Sequence, residues 1–245
     1  MTQMGMEDVS AQRTQVIYAR LAGFLFLWLI ITGLGGMQIT SRIVRSGTFA
    51  EKAARVVASE HLYRIALSTE LVETLSALLL GFALYATLRP VDRLLAQMGL
   101  YWRMAEALIG CVGVIFGFIR LGLYTSPPPD GGSQAQVLVD LTRHAGSASY
   151  NIGALCFSFG SLLFFYLFLK SRYIPTILSA FGIFASTVVT IICFGSLIYP
   201  ERSAVLQYGW APMAIAEVTT GIWLMIFAVK RQPRSVHESD AVVAG

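Results

Sequence analysis

Six apolar runs, each near the length that carries a helix across a lipid bilayer, divide this chain of 245 residues. Their approximate limits are Val16 to Met37, Leu62 to Leu88, Leu94 to Tyr124, Ala145 to Leu169, Ile174 to Ile198 and Trp210 to Val229. About 20 helical residues cross the ~30 Å of hydrocarbon, where the backbone must satisfy its own hydrogen bonds, so each run is expected to be a helix. Charged residues make up only 13% of the chain, against roughly 25% in an ordinary soluble domain. That composition excludes a disordered chain, a nucleic-acid module and a soluble enzyme of this size. The fold expected is all-α, a polytopic transmembrane bundle of six spanning helices.

The third run is interrupted by Arg103, Glu106 and Arg120, and its length and flanks are what argue for a membrane helix. The first, preceded by Arg13 and Arg20, has the polarity of a secretory signal. Its apolar part is too long for one, and Gly33 to Ile39 offers no small-x-small cleavage site, so a retained helix is expected.

Basic residues outside the runs set the expected orientation. With the N-terminus in the cytoplasm, nine fall inside and six outside. The two shortest connections, Arg89-Pro90-Val91-Asp92-Arg93 and Lys170-Ser171-Arg172-Tyr173, are basic and share one side. Both termini are therefore expected to be cytoplasmic, in a bacterial inner membrane. In the first outer loop, Phe49, Ala53, Val56 and Val57 recur on one face between Glu51, Lys52 and Arg55. This reads as a short amphipathic surface helix, lying flat on the membrane or capping the bundle. Ser126 to Ser133, with three prolines and two glycines, reads as an exposed turn or stiff linker. Residues 1–230 form a single membrane domain on this reading, and 231–245 a disordered cytoplasmic tail.

Candidate chemistry lies with the ionisable residues inside the runs. Glu73 follows Leu62 by 11 residues and Glu106 follows Leu94 by 12, which places them ~16 Å and ~18 Å from opposite faces. Both fall near the midplane. Glu70 lies one turn nearer the outside, and Glu217 follows Trp210 by seven residues, about 10 Å of rise. A charge at the bilayer centre costs about 2.5–3.5 kcal/mol on insertion scales, so these four acids should turn inward.

Helical spacing leads to the same expectation. Gly99, Arg103, Glu106, Gly110, Gly113, Gly117 and Arg120 follow at alternating intervals of four and three, on one face. Ala66, Glu70, Glu73, Thr74, Ala77 and Gly81 form a second stripe; Ser147, Asn151, Ala154, Ser158 and Ser161 a third. Small residues in such stripes are explained by close helix packing. The charges are not, and intramembrane ions are functional candidates by default. Four acids in the runs face three arginines, Arg64, Arg103 and Arg120, so an acid in surplus needs a proton or a cation. The alternative is a fully paired structural salt-bridge network. The ligand- or proton-binding candidates are Glu70, Glu73, Arg103, Glu106, Glu217 and Asn151.

Other signals are weak. Cys111, Cys156 and Cys193 fall in separate runs without a CxxC or a histidine at metal spacing. His61 and His144 read as boundary residues. HExxH, GxSxG and phosphate-binding glycine loops are absent from the sequence. No catalytic residue, cofactor or metal is indicated, and the partners expected are the bilayer and a small molecule or ion, not nucleic acid.

Several motifs occur in an order that resembles one family. They are Arg20-Leu21-Ala22-Gly23 leading into an apolar helix, Leu84-Tyr85-Ala86-Thr87-Leu88-Arg89-Pro90-Val91 followed by Arg103 and Glu106, Lys170-Ser171-Arg172-Tyr173-Ile174-Pro175, and Ala216-Glu217 near the last helix. Together they resemble the uncharacterised bacterial membrane family known as domain of unknown function 4386, from about Arg13 to Lys230. The resemblance implies a polytopic helical domain and brings no activity with it. At one turn this chain departs from the family pattern: Arg172-Tyr173-Ile174-Pro175 stands where Ser-Gly-Tyr-Leu-Pro is the form associated with the family.

The functional expectation is a multi-pass membrane protein that binds or translocates a small polar or cationic ligand, or protons. Glu70, Glu73 and Glu217 would supply negative charge, and Arg103 with Glu106 would set the balance. The alternatives are a membrane-embedded enzyme acting on a lipid-like substrate by acid/base chemistry, and a scaffold that binds partner helices.

Overall fold

The structure is a computed structural model that describes residues 3–126 and 132–229. Among these residues every regular element is helical: α1 (Gln3–Ile43), α2 (Phe49–Ala58), α3 (Glu60–Leu88), α4 (Arg93–Thr125), α5 (Gly132–Ser171), α6 (Thr176–Ile198), α7 (Ser203–Leu206) and α8 (Ala211–Phe227). Short 3-10 turns flank α7. The expected tail over 231–245 and most of the proline-rich linker lie outside the described residues.

Six helices are long and apolar enough to span a membrane, and they coincide with the six runs in the sequence. The fourth differs in extent. Its helix begins at Gly132 rather than Ala145, because Ala135, Val139 and Thr142 form a buried stripe that continues the helix past the apolar run. Hydropathy registers the part of a helix that lipid covers and misses the part that only its neighbours cover.

Each spanning helix packs against its neighbours in chain order, and α8 closes back onto α1, so the order around the molecule is α1, α3, α4, α5, α6, α8. Only α3 and α5 make a minor contact across this ring. The α1–α8 seam closes where two glycines meet. A Cβ on Gly23 would fall 2.7 Å from the Gly221 carbonyl oxygen, so any larger residue would push the backbones apart. Polar clasps hold other seams: Gln15 Nε2 donates to Thr87 O at 2.8 Å between α1 and α3, and Thr190 donates to Ser158 at 2.9 Å between α6 and α5. Leu71, Leu75, Leu78, Leu79 and Phe82 of α3 stay exposed on the ring's outer surface, as lipid contact requires.

Two apolar clusters fill the ring and leave a gap between them. Phe26, Leu84, Phe164, Phe165 and Phe168 belong to a large core that from the side of the chain termini reaches Leu80 on α3 and Ala96 on α4, and continues along α6 and α8 to Cys193 and Met213. On the far side, Ile43, Val56, Tyr63, Leu67, Leu121 and Tyr124 form a smaller one. Along α3 and α4 the clusters therefore stop at Leu67 and Leu80, and at Ala96 and Leu121. The central ionisable residues stand in that interval.

The loops are built as firmly as the helices. A Thr48–Glu51 capping box starts α2, Phe49 stacks on Tyr124 at 5.7 Å, and Val56 is fully buried, so the apolar face of α2 packs on the far end of the bundle. On the terminal side, Asp92 caps α4 by accepting from Leu95 N at 3.1 Å, and Lys170 of α5 approaches the same carboxylate at 3.3 Å.

Candidate functional site

Arg103 is the most deeply buried charge of the interval, with 2% relative exposure. Two glycines make room for it. On α3, a Cβ at Gly81 would lie 2.7 Å from Arg103 Cβ; on α5, one at Gly160 would lie 3.4 Å from Arg103 Cδ. The guanidinium lies over the Phe157 ring, 5.0 Å from its centroid, and Nη1 is 3.0 Å from Glu106 Oε2 one turn along the helix. One carboxylate and one ring are poor company for five N–H donors, and Arg103 Nε is buried without a hydrogen-bond partner. Beside it a cavity of about 10 Å³, lined by Arg103, Ser161 and phenylalanines, has about the volume one water needs.

Glu73 is seated against α1. A Cβ at Gly33 would fall 2.6 Å from Glu73 Oε1, so the glycine is what admits the carboxyl group. Its charge interacts with those of Glu70 and Glu106. Glu217 of α8 is partly buried and within electrostatic reach of Arg103, Glu106 and Glu73, although α8 makes no direct contact with α3 or α4. Glu106 keeps 21% of its side chain accessible despite its ion pair.

The structure thus brings Glu73, Arg103, Glu106 and Glu217 into one electrostatic group. Glu70 stands toward the far end, exposed, in the field of Arg120. Asn151 is turned to its own helix, donating through Nδ2 to Ser147 O at 3.0 Å. Three neighbours were missed by sequence reasoning: Gly33, Tyr150, whose hydroxyl interacts with Glu73, and Phe157, which also stacks on Trp210 at 5.9 Å. The run Gly33, Gly35 and Gly36 inside an apolar helix was the one available signal. A tyrosine and a phenylalanine among many carry none. The glycine stripe of α4, by contrast, is divided between partners, with Gly110 and Gly117 against α3 and Gly99 against α5.

Three carboxylates share one guanidinium, so the group carries two surplus negative charges when all are ionised. Among the described residues no three His, Cys, Asp or Glu side chains converge closely enough to hold a metal ion. His144 bonds its own helix at Asp140 O, 2.7 Å away, and the three cysteines are separate and free.

A ring of six apolar helices, each able to span a bilayer, with a buried Arg103 paired to Glu106 among them defines a polytopic membrane protein. The chain belongs to the family described as domain of unknown function (DUF4386), whose match covers residues 21–228. Neither the curated proteins nor the solved structures provide a match.

Proposed function

We propose that this protein binds and exchanges protons, or a small cation in their place, at the acidic layer in the middle of the membrane. It is read as an inner-membrane protein with both termini cytoplasmic. The observation that carries this reading is Arg103, 2% exposed and 3.0 Å from Glu106, in the same interval of the ring as the Glu73 carboxyl seated against Gly33. A structural ion-pair network would match acids with cations; here the Arg103 guanidinium is already engaged by Glu106, and among the described residues no ion pair is made by Glu73 or Glu217. Carboxylates not matched by cations are suited to taking up single protons or a positively charged organic group. Arg103 serves as the fixed charge that holds Glu106, while Glu73 and Glu217 gain and lose positive partners.

The test uses the purified protein in proteoliposomes with an entrapped pH indicator, together with infrared spectroscopy. Wild type is expected to show a carboxylic-acid band at neutral pH that Glu73→Gln and Glu217→Gln each diminish, and a proton flux that either substitution lowers at least tenfold. A spectrum with every carboxyl ionised, and a flux unaffected by both substitutions, would overturn the reading.

A further inference from the structure

A second polar site lies at the far end of the molecule, independent of the acidic layer. There the loop after α1, together with α2, α4 and α5, borders a partly open cavity of about 290 Å³. Four cationic side chains line it, Arg45, Lys52, Arg120 and Arg143, against one carboxylate, Asp140, with Tyr124 as an aromatic wall. Among the described residues the only ion pair within the cavity is Arg143–Asp140, at 3.1 Å. Arg120 feels the field of Glu70 from the membrane side, yet its Nε is buried without a hydrogen-bond partner. Counting Glu70 as well as Asp140 against the four cations still leaves an excess of two positive charges.

The walls are preorganised. Arg55 donates to Ile43 O at 3.2 Å, Arg45 O at 3.0 Å and Ser46 O at 3.3 Å, which pins the loop that carries Arg45. The stacked Phe49–Tyr124 pair fixes α2, which carries Lys52, against α4. Cations gathered by separate elements repel one another, and holding them on a pinned frame is favourable when an anion joins them.

We propose that this cavity binds a phosphate-bearing anion. The guanidinium fork matches phosphate oxygens in pairs, and a group with up to two negative charges offsets the excess that a single carboxylate would not. The volume accommodates a phosphate with a small substituent. Its depth suits either a soluble phosphate ester or a phospholipid headgroup: α4 spans 33 residues, or ~50 Å against ~30 Å of hydrocarbon, and Arg120 lies ~8 Å from its end.

The experiment measures binding to the full-length protein in nanodiscs of zwitterionic lipid by calorimetry at low salt. Inorganic phosphate and glycerol 3-phosphate are the soluble probes, and phosphatidylglycerol doped into the nanodisc is the lipid probe. Saturable binding of either kind is expected, weakened at least tenfold by Arg120→Gln and by the paired surface substitutions Arg45→Gln and Lys52→Gln, which leave the helix packing untouched. Binding of the soluble probes identifies a soluble source, and binding of the doped lipid alone identifies a headgroup. Absence of saturable binding by all three probes, or affinities unchanged in both variants, overturns the proposal.

Discussion

Arg103 shows how one side chain is made tolerable in a place hostile to it. Glycines at positions 81 and 160 admit its stem, the Phe157 face receives its cation, and Glu106 balances its charge at 3.0 Å. Removing one partner of a buried pair leaves the other uncompensated. Arg103→Gln is therefore expected to destabilise the protein by about 3 kcal/mol. The double substitution with Glu106→Gln should recover more than a third of that loss. Denaturant titration in detergent over the four-protein cycle measures both, and an additive cycle would show that the two groups do not interact. Gly33 plays the matching part for Glu73, and a methyl there would collide with the carboxylate. The charges could be listed from the sequence, but what lies opposite each of them could not.

Between elements, the terminal side offers two measurable features. Asp92 caps α4, and the Leu95 backbone N–H, joined by Lys170, holds its carboxyl below the ordinary aspartate range. A depressed folded value means the stabilisation is present above the ordinary carboxylate pKa and is lost as pH falls toward and below the folded one. Thermal stability should thus decline below about pH 4 more steeply for wild type than for Asp92→Asn, which keeps an acceptor but not the charge. Equal slopes in a melting series across that range would remove Asp92 from the account. In the α5–α6 turn, Arg172 has φ 53°, a left-handed conformation that disfavours a side chain. It is the residue that stands in place of the family-like glycine. Arg172→Gly is expected to stabilise the fold by about 1 kcal/mol, read as a raised melting temperature.

For the molecule as a whole, ring closure decides what the charges can do. Chain-order packing alone would leave an open row of helices, and the Gly23–Gly221 seam converts it into a ring with an interior. Gly221→Leu is expected to pry α8 from α1 and withdraw Glu217 from the other acids. Its signature is loss of the infrared difference between wild type and the Glu217→Gln background, together with a lower melting temperature. The ring's sidedness is open to an equally direct check. Cysteine introduced at Thr48 should react with an impermeant thiol reagent from outside intact cells, and one at Val91 only after permeabilisation, in accord with the basic turns at 89–93 and 170–173.

The sequence by itself determined the helical class, the six helices long and apolar enough to cross a membrane, and the position of each charge along its helix. Those follow from apolar length and a fixed rise per residue, both local properties. It also led to the expectation that the acids turn inward, since lipid penalises a charge whichever helix carries it; Glu106 sits beside the buried Arg103, but Glu70 is exposed. The fourth helix outran its apolar stretch because contacts, not hydropathy, sustain its first turns. Tertiary structure alone decided which helix closes on which, that Gly33 of α1 faces Glu73 and Phe157 of α5 faces Arg103, and that basic residues from a loop and three helices line one cavity. Such juxtapositions depend on packing between segments far apart in the chain, where periodicity along a single helix carries no information.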